Sequence, residues 1–346
     1  MTQAMVLYDL LEGAGHEVCA VYIGKSERRN IPDYFRNHFR CPVESLVSPN
    51  FVLDRNNKSL RLGATLLHNL RHLSTYRLSL QQLHQGLMKR KPDALINFYD
   101  FLGGVYAFFY RPPFRHISIG HQYLAGHPSF PFAPDRPLEK WLFQANNRIT
   151  SLRSWRRVAL SFRPYDPPVY GRIAVSPPLL RPDVRQLDRR DEGFILGYMV
   201  NDGYGDDIIA WHRENPGVKV HCFWDRKGVP NPFQPHVNLS FHQIDNRKFL
   251  DYMSRCSGYV TTAGFESICE AMYLGKPILM IPVDSQYEQA CNALDAAATG
   301  AGIAHHRFDI RLLLDYMPRH AEVGGRFREW ESRAGEILLK ELTDLD

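Results

Sequence analysis

The sequence predicts an α/β protein of two domains, each built around a mainly parallel sheet. A length of 346 residues suits two domains of ordinary size. Short β-prone runs alternate with amphipathic helical patterns along most of the chain, as in successive βαβ units. Six prolines fall within residues 164–192, and this density favours a connection between domains. We therefore divide the chain into a first domain (1–163), a linker (164–192) and a second domain (193–346).

Composition is that of an ordinary globular protein, with 44% hydrophobic and 23% charged residues. No apolar run approaches the roughly 18 residues of a membrane span, and no signal peptide is visible. Six cysteines are scattered without a CxxC pair. This usage predicts reduced thiols in a cytoplasmic protein and argues against a zinc site.

Charge is divided unevenly along the chain. Residues 1–170 carry 22 Lys and Arg against 12 Asp and Glu, whereas the remainder carries 20 against 25. A basic first half favours an anionic acceptor or the anionic inner face of a membrane, because long-range potential raises encounters with such partners. A basic surface that contacts only solvent explains the uneven charge equally well. Nucleic acid is not expected as a partner, since no fold signature or stacking platform for it is present.

The first domain is predicted to begin with a helix over residues 2–11, followed by a strand over 17–23. A Rossmann-like domain ordinarily begins with a strand and a Gly-rich turn, so this start looks truncated. A short helix over 31–39 and a strand over 43–47 come next. Leucines at helical spacing among Arg and Lys in residues 62–91 then predict one or two basic amphipathic helices. Such helices suit either a plain surface with a buried leucine stripe or a membrane or lipid-acceptor surface.

Two polar side chains follow strands of this domain, Asp100 after a strand over 93–98 and His121 after a strand over 116–119. Because the carboxyl ends of parallel strands face the binding crevice, both are expected to look into a cleft. A histidine there can take a proton from a hydroxyl, and a carboxylate can fix its tautomer. The other interpretation, in which His121 bonds locally and Asp100 starts a helix, stays open. A strand over 158–162 is predicted to be the last of this domain.

The second domain is predicted to begin with a strand over 194–199 and a turn containing Asn201 and Gly203. A helix over 206–214, strands over 218–223 and 237–241, a turn containing Ile244 and a helix over 245–255 follow. A long helix over 325–342 closes the chain.

The most informative stretch is residues 258–292, which reads as strand, turn, helix, strand, turn, helix. Ala263 and Gly264 allow the sharp turn into the first of these helices, whose apolar residues recur at helical spacing from Phe265. Backbone N–H groups at such a helix start can hold a diphosphate. Ser267 and Glu270 fall on the opposite helix face, and Glu270 can reach the hydroxyls of a ribose.

The second turn of this stretch carries further polar groups. Gln286 and Gln289, near the start of the next helix, have amides that can bond sugar hydroxyls. Ser285 and Glu288 are spaced as a capping box, and Gly275 sits where a helix end favours a left-handed residue. Together the two turns outline a nucleotide-sugar site.

This stretch resembles the donor-binding segment of GT-B glycosyltransferases. The resemblance is greatest to UDP-glucuronosyltransferase-like enzymes and to the lipid-linked N-acetylglucosaminyltransferase of peptidoglycan synthesis. It rests on the Gly264 turn, Ser267, Glu270, the run Gly275-Lys276-Pro277, and the amides of Gln286 and Gln289. Many relatives have glycine where Ala263 stands and an acidic residue where Ser285 stands. The relatives also begin with a strand and a Gly-His loop that this sequence lacks.

The resemblance implies two Rossmann-like domains facing across a cleft, with the nucleotide sugar on the second and the acceptor on the first. It implies inverting transfer from a UDP-sugar to a hydroxyl, without a cofactor or metal. The helix start at Gly264 would stabilise the leaving diphosphate. Asn201 and Gly203 would lie near the phosphates, and Ile244 near the base. A nucleotide-sugar 2-epimerase of the same fold and a catalytically silent binding protein are the alternatives.

Overall fold

The computed structural model describes residues 2–25, 31, 33–49, 69, 71–198, 204–283 and 286–344. The described elements form two α/β domains with mainly parallel sheets, which confirms the predicted fold class. None of the described helices combines the length and apolar character that a membrane span requires.

The first domain contains a two-stranded and a five-stranded sheet. Its elements are α1 (Thr2–Gly13), β1 (Val21–Lys25), α2 (Asp33–Arg36), β2 (Val43–Val47), α3 (Leu73–Arg90), β3 (Ala94–Asn97), α4 (Phe101–Tyr110), β4 (Arg115–Ile119), α5 (Pro137–Thr150), β5 (Arg156–Leu160), β6 (Val169–Tyr170) and β7 (Ile173–Ser176). Strands β1 and β2 pair in parallel, and the larger sheet has the order β3-β4-β5-β7-β6. The predicted basic helix is confirmed as α3, while residues 62–68 and 70 lie outside the described residues.

The Pro-rich segment is more ordered than the sequence predicted. Strand β7 pairs in parallel with β5, so residues 169–176 extend the sheet of the first domain. The prediction that residues 158–162 form the last strand of this domain is therefore wrong. Prolines flank the new strands, with Pro168 before β6 and Pro177 after β7, and none interrupts their hydrogen bonding. A short helix, α6 (Pro182–Arg185), then leads to the second domain.

The second domain is a seven-stranded sheet with helices packed against it. Its elements are β8 (Ile195–Tyr198), α7 (Tyr204–Glu214), β9 (Val220–Trp224), β10 (Phe233–His236), β11 (Leu239–Gln243), α8 (Asn246–Arg255), β12 (Gly258–Thr261), α9 (Phe265–Tyr273), β13 (Ile278–Met280), α10 (Tyr287–Ala298), β14 (Gly302–Ala304), α11 (Ile310–Tyr316), α12 (Gly324–Glu331) and α13 (Ala334–Thr343). The strand order is β10-β11-β9-β8-β12-β13-β14, and the sequence did not predict the antiparallel edge strand β10.

The end of the chain joins the two domains. The single helix predicted over 325–342 is in fact two helices, α12 and α13, and α13 contacts β5 and β7 of the first domain. Leu338 is buried in the same apolar cluster as Val158 and Leu160. The Arg156 Nε atom lies 2.9 Å from a carboxylate oxygen of Glu341. Through these contacts the last helix of the chain braces the first domain.

Candidate functional site

A cleft of about 380 Å³ lies between the domains, beyond the carboxyl ends of β4 and β12. Both domains, α1 and the linker contribute to its walls. The described lining residues are Thr2, Gln3, His121, Gln122, Arg181, Tyr198, Ile244, Asn246, Phe249, Gly264, Phe265, Glu266, Ser267 and Glu270. Six of the residues singled out in the sequence are among them, namely His121, Ile244, Gly264, Phe265, Ser267 and Glu270.

The start of α9 forms one wall of the cleft. Gly264 is the N-cap residue and supplies no side-chain cap, so the first backbone N–H groups of α9 are not satisfied by it. Glycine at this point also leaves open space, since a Cβ built there would meet only the Ser267 hydroxyl at 3.9 Å. The helix start can therefore be approached closely by an anion, as the sequence predicted.

Ala263 holds a conformation that glycine adopts more easily. Its φ is +61°, it is fully buried, and its carbonyl accepts a hydrogen bond of 3.2 Å from the Asn292 side chain on α10. The left-handed conformation costs a non-glycine residue roughly 1–2 kcal/mol. This is a physical reason for the glycine that relatives carry at this position.

Two substitutions at Ala263 are expected to differ sharply. Ala263→Gly should change the free energy of unfolding by less than about 1 kcal/mol, because relief of strain is offset by chain entropy and by loss of a buried methyl group. Ala263→Val should lower it by about 2–4 kcal/mol, because a branched side chain is strained at positive φ and has no room. Urea unfolding measures both values, and a tolerated valine would contradict the observed turn.

Glu270 lies on the cleft but is not a free carboxylate. Its side chain is 5% exposed, and the Arg181 Nε donates to Glu270 Oε1 at 2.6 Å. Burial raises the pKa of the Glu270 carboxyl, while the Arg181 guanidinium acts to lower it. Arg181 comes from the linker, where no local motif predicts a site residue.

His121 stands opposite, between the sheet of the first domain and α9. Its Nδ1 atom lies 2.7 Å from the Leu160 carbonyl, so Nδ1 carries the proton and donates. Its ring stacks on Phe265, with centroids 4.0 Å apart, and its Nε2 atom is buried with no partner among the described residues. Burial lowers the pKa of the His121 imidazole. The ring is thus neutral near pH 7, with a lone pair on Nε2.

The structure does not bring Asp100 to His121. The Asp100 carboxylate caps α4 by accepting from the Leu102 N–H at 2.7 Å, and it also accepts from the Ser48 hydroxyl at 3.1 Å. A backbone carbonyl, that of Leu160, fixes the tautomer of His121 in place of a carboxylate. The predicted Asp100–His121 pair is therefore wrong, and the interpretation of Asp100 as a helix start is correct.

The amides of the second turn lie outside the cleft lining. Gln286 is the N-cap residue of α10, and the Gln289 side-chain oxygen accepts from the Val283 N–H at 2.9 Å. Gln286 supplies no side-chain cap, and the Glu288 carboxylate accepts from the Gln122 amide, while the Ser285 half of the predicted capping box falls on a residue that the structure does not describe. Asn201, Gly203 and Ser285 lie outside the described residues.

One face of α10 is turned toward the first domain. Glu288, Asn292 and Asp295 share this face at helical spacing. The Gln122 amide donates to Glu288 Oε1 at 2.9 Å, and Tyr165 donates to Asp295 Oδ1 at 2.6 Å. Burial raises the pKa of Glu288 to about 7. No local pattern predicts this polar contact between domains, because it joins residues far apart in the chain.

The raised pKa of Glu288 predicts a pH dependence of stability. Between about pH 4.5 and 7 the unfolded chain releases the Glu288 proton while the folded chain keeps it, so folding loses stability as pH rises. At about 1.4 kcal/mol per pKa unit the loss is at most about 3.5 kcal/mol, and it is smaller because the side chain keeps some exposure. Glu288→Gln should remove this loss of stability with rising pH, which is measured by urea unfolding at several pH values. The same change at the exposed Glu336 should not, and equal pH profiles for parent and Glu288→Gln would contradict the prediction.

Comparison with known proteins adds to this geometry. A family model described as glycosyl transferase family 1 matches residues 1–319. No curated protein sequence matches the chain. Among solved structures, the calicheamicin glycosyltransferase CalG4 is similar with a TM-score of 0.62 at 14% identity, covering 99% of this chain and 94% of that chain.

Two further similar structures were solved with nucleotides. Phytolacca americana UGT2, complexed with UDP-2fluoro-glucose and pterostilbene, has a TM-score of 0.60 at 13% identity and covers 99% of this chain and 94% of its own. The spinosyn rhamnosyltransferase SpnG, complexed with thymidine diphosphate, has a TM-score of 0.57 at 14% identity and covers 99% and 96%. At such identities the likeness shows the fold, which is GT-B.

Proposed function

The chain belongs to glycosyl transferase family 1 and is a glycosyltransferase that takes its sugar from a nucleotide sugar; we propose that the donor is a UDP-sugar and that transfer is inverting and independent of metal. The observation that carries the proposal is the uncapped start of α9 in the cleft, beside Glu270. The nucleotide of the UGT2 structure supports UDP, whereas the nucleotide of SpnG makes a thymidine carrier the competing outcome.

In this proposal the diphosphate lies at the N–H groups that follow Gly264, next to the Ser267 hydroxyl. The helix dipole and these donors would stabilise negative charge on the leaving group, which is an electrostatic role that needs no metal. The ribose hydroxyls would bond the free oxygen of Glu270, and the base would lie near Ile244. Asn201, Gly203, Gln286 and Gln289 remain proposed donor contacts by resemblance.

We also propose His121 as the general base. Its tautomer leaves Nε2 without a proton, and the ring lines the cleft on the acceptor side. In the reaction, the acceptor hydroxyl attacks the anomeric carbon as its proton passes to Nε2. The bond from that carbon to the diphosphate breaks, and the diphosphate keeps the electron pair.

A donor panel tests the proposal. The chain is mixed in turn with UDP-, dTDP-, GDP- and ADP-sugars, and thermal stability and hydrolysis of each donor are measured with and without EDTA. A raised melting temperature with UDP-sugars, unchanged by EDTA, is the expected result. Preference for dTDP-sugars would overturn the choice of carrier, and loss of turnover in EDTA would overturn metal independence.

For the acceptor, we propose an anionic or lipid-linked molecule met at the cytoplasmic face of an anionic membrane. Residues 1–170 are strongly basic, and Phe108 and Phe109 at the end of α4 are 47% and 69% exposed. Arg111, two residues after Phe109, is also exposed. Exposed aromatic side chains beside basic ones favour an anionic bilayer surface. All six cysteines are free thiols, which supports a reducing compartment.

Sedimentation with liposomes tests this surface. Binding to vesicles that contain phosphatidylserine should fall steeply between 50 and about 500 mM salt, because screening shortens the range of the attraction. Phe108→Ser with Phe109→Ser should weaken it, while the same change at the exposed Val237 in the second domain should not. Binding that does not depend on salt concentration, or that the double substitution does not weaken, would contradict the proposal.

A further inference from the structure

We propose that Arg181, on the connection between the domains, binds the diphosphate of the donor and stabilises it as the leaving group. The inference rests on the proposed nucleotide site. It adds a residue that lies 89 positions from Glu270 in the chain and outside the donor-binding segment.

The fold holds this guanidinium at the wall of the cleft. Arg181 directly precedes α6, and α6 packs on α9. The Arg181 side chain is only 16% exposed, and its Nε is fixed on Glu270 at 2.6 Å. Among the described residues its two Nη groups have no hydrogen-bond partner, and neither is a buried polar atom. The Nη groups are therefore accessible from the cleft that Arg181 lines.

The charges of the cleft also require a cation. Glu266 and Glu270 both line it, and a nucleoside diphosphate brings at least two more negative charges. Arg181 is the one Lys or Arg among the described lining residues. His121 does not supply the charge, because its buried ring is neutral. Without Arg181, the described part of the site would offer the diphosphate no cationic side chain, only the N–H groups and dipole at the start of α9 and the Ser267 hydroxyl.

The same contact serves the transfer step. As the bond between the anomeric carbon and the diphosphate breaks, negative charge develops on the departing phosphate oxygen. A guanidinium presents paired N–H donors that match phosphate oxygens, and a charge held in place beforehand costs no reorganisation. Glu270 thus has two functions, since one carboxylate both positions Arg181 and faces the ribose.

The test compares each nucleoside with its diphosphate. Calorimetry with uridine, thymidine, guanosine and adenosine and with their 5′-diphosphates is carried out on the parent and on Arg181→Gln, which keeps an amide donor for Glu270 but removes the charge. We expect diphosphate affinity to fall about 10–100-fold and nucleoside affinity to change less than about threefold. Arg181→Lys, which restores charge without the fork, should recover part of the loss.

Arg185 provides a matched control. It is the last residue of α6, four residues after Arg181, and it pairs with the buried carboxylate of Glu331, but it does not line the cleft. Arg185→Gln should leave both affinities unchanged. Equal losses for nucleoside and diphosphate in Arg181→Gln, or no loss for either, would overturn the role of Arg181 while leaving the nucleotide site in place. A parent protein that binds none of the diphosphates would overturn both.

Discussion

His121→Ala is expected to lower turnover by about 10²–10⁴-fold, as loss of a general base does, while donor affinity stays within about threefold. The Leu160 carbonyl holds the proton on Nδ1, so Nε2 is left with a lone pair that can accept a proton. Single-turnover rates and donor titration separate the two quantities. Full activity in the variant would remove His121 from the chemistry.

His116 is a natural control for this experiment. It lies on β4, is buried like His121, and its Nδ1 also contacts a backbone carbonyl, that of Leu152, at 3.2 Å. It does not line the cleft. His116→Ala should therefore cost stability without changing turnover per folded molecule, and an equal rate loss in both variants would indicate a structural effect.

The pH dependence of kcat/KM distinguishes His121 from Glu288 as the general base. A base works when it has lost its proton, so the rate falls as pH drops below its pKa. Burial lowers the pKa of His121 below its ordinary 6.5, so the acidic limb of kcat/KM should lie below pH 6.5. Glu288, whose pKa is raised to about 7 and which bonds the cleft residue Gln122, would instead give a limb near pH 7.

The donor-binding segment could be predicted almost residue by residue. Strand β12, helix α9 and strand β13 follow one another in the predicted order, α9 begins directly after the predicted turn at Gly264, and Gly275 has the left-handed φ of +67° that its position predicted. These features depend on neighbours close in the chain: a periodic apolar face, a glycine at each end of α9 and a proline after it. Local pattern is sufficient where local contacts decide the structure.

The rest of the site depends on contacts between distant residues. Asp100 was predicted to face the cleft because it follows the end of a strand. Its carboxylate instead accepts from the Leu102 N–H two residues later, since a helix start leaves such donors without partners. Arg181 could not be found, because proline density around it predicted an irregular linker. Its ion pair with Glu270 depends on how α6 packs on α9, and no short sequence pattern predicts that packing.

Glu270→Ala is expected to weaken nucleotide binding by about 1.5–3 kcal/mol, the value of a hydrogen bond to a charged group. It should also lower the free energy of unfolding, because it leaves the Arg181 guanidinium without its partner. Breaking a buried pair costs about 3–5 kcal/mol, and the open cleft places this case at the lower end. Calorimetry measures the first effect and urea unfolding the second, with the exposed Glu329→Ala as control.

Calorimetry and urea unfolding together show whether the ion pair of Glu270 and Arg181 binds the nucleotide or only stabilises the fold. If Glu270 bonds the ribose, its removal should weaken the binding of uridine as well as that of UDP, whereas Arg181→Gln should weaken mainly the binding of UDP. Glu270→Gln should recover most of the stability, because the amide oxygen still accepts from Arg181, but only part of the binding. A loss of stability with unchanged affinity for both ligands would make the ion pair purely structural. Such a result would remove Glu270 from the nucleotide site, together with the charge argument that places the diphosphate beside Arg181.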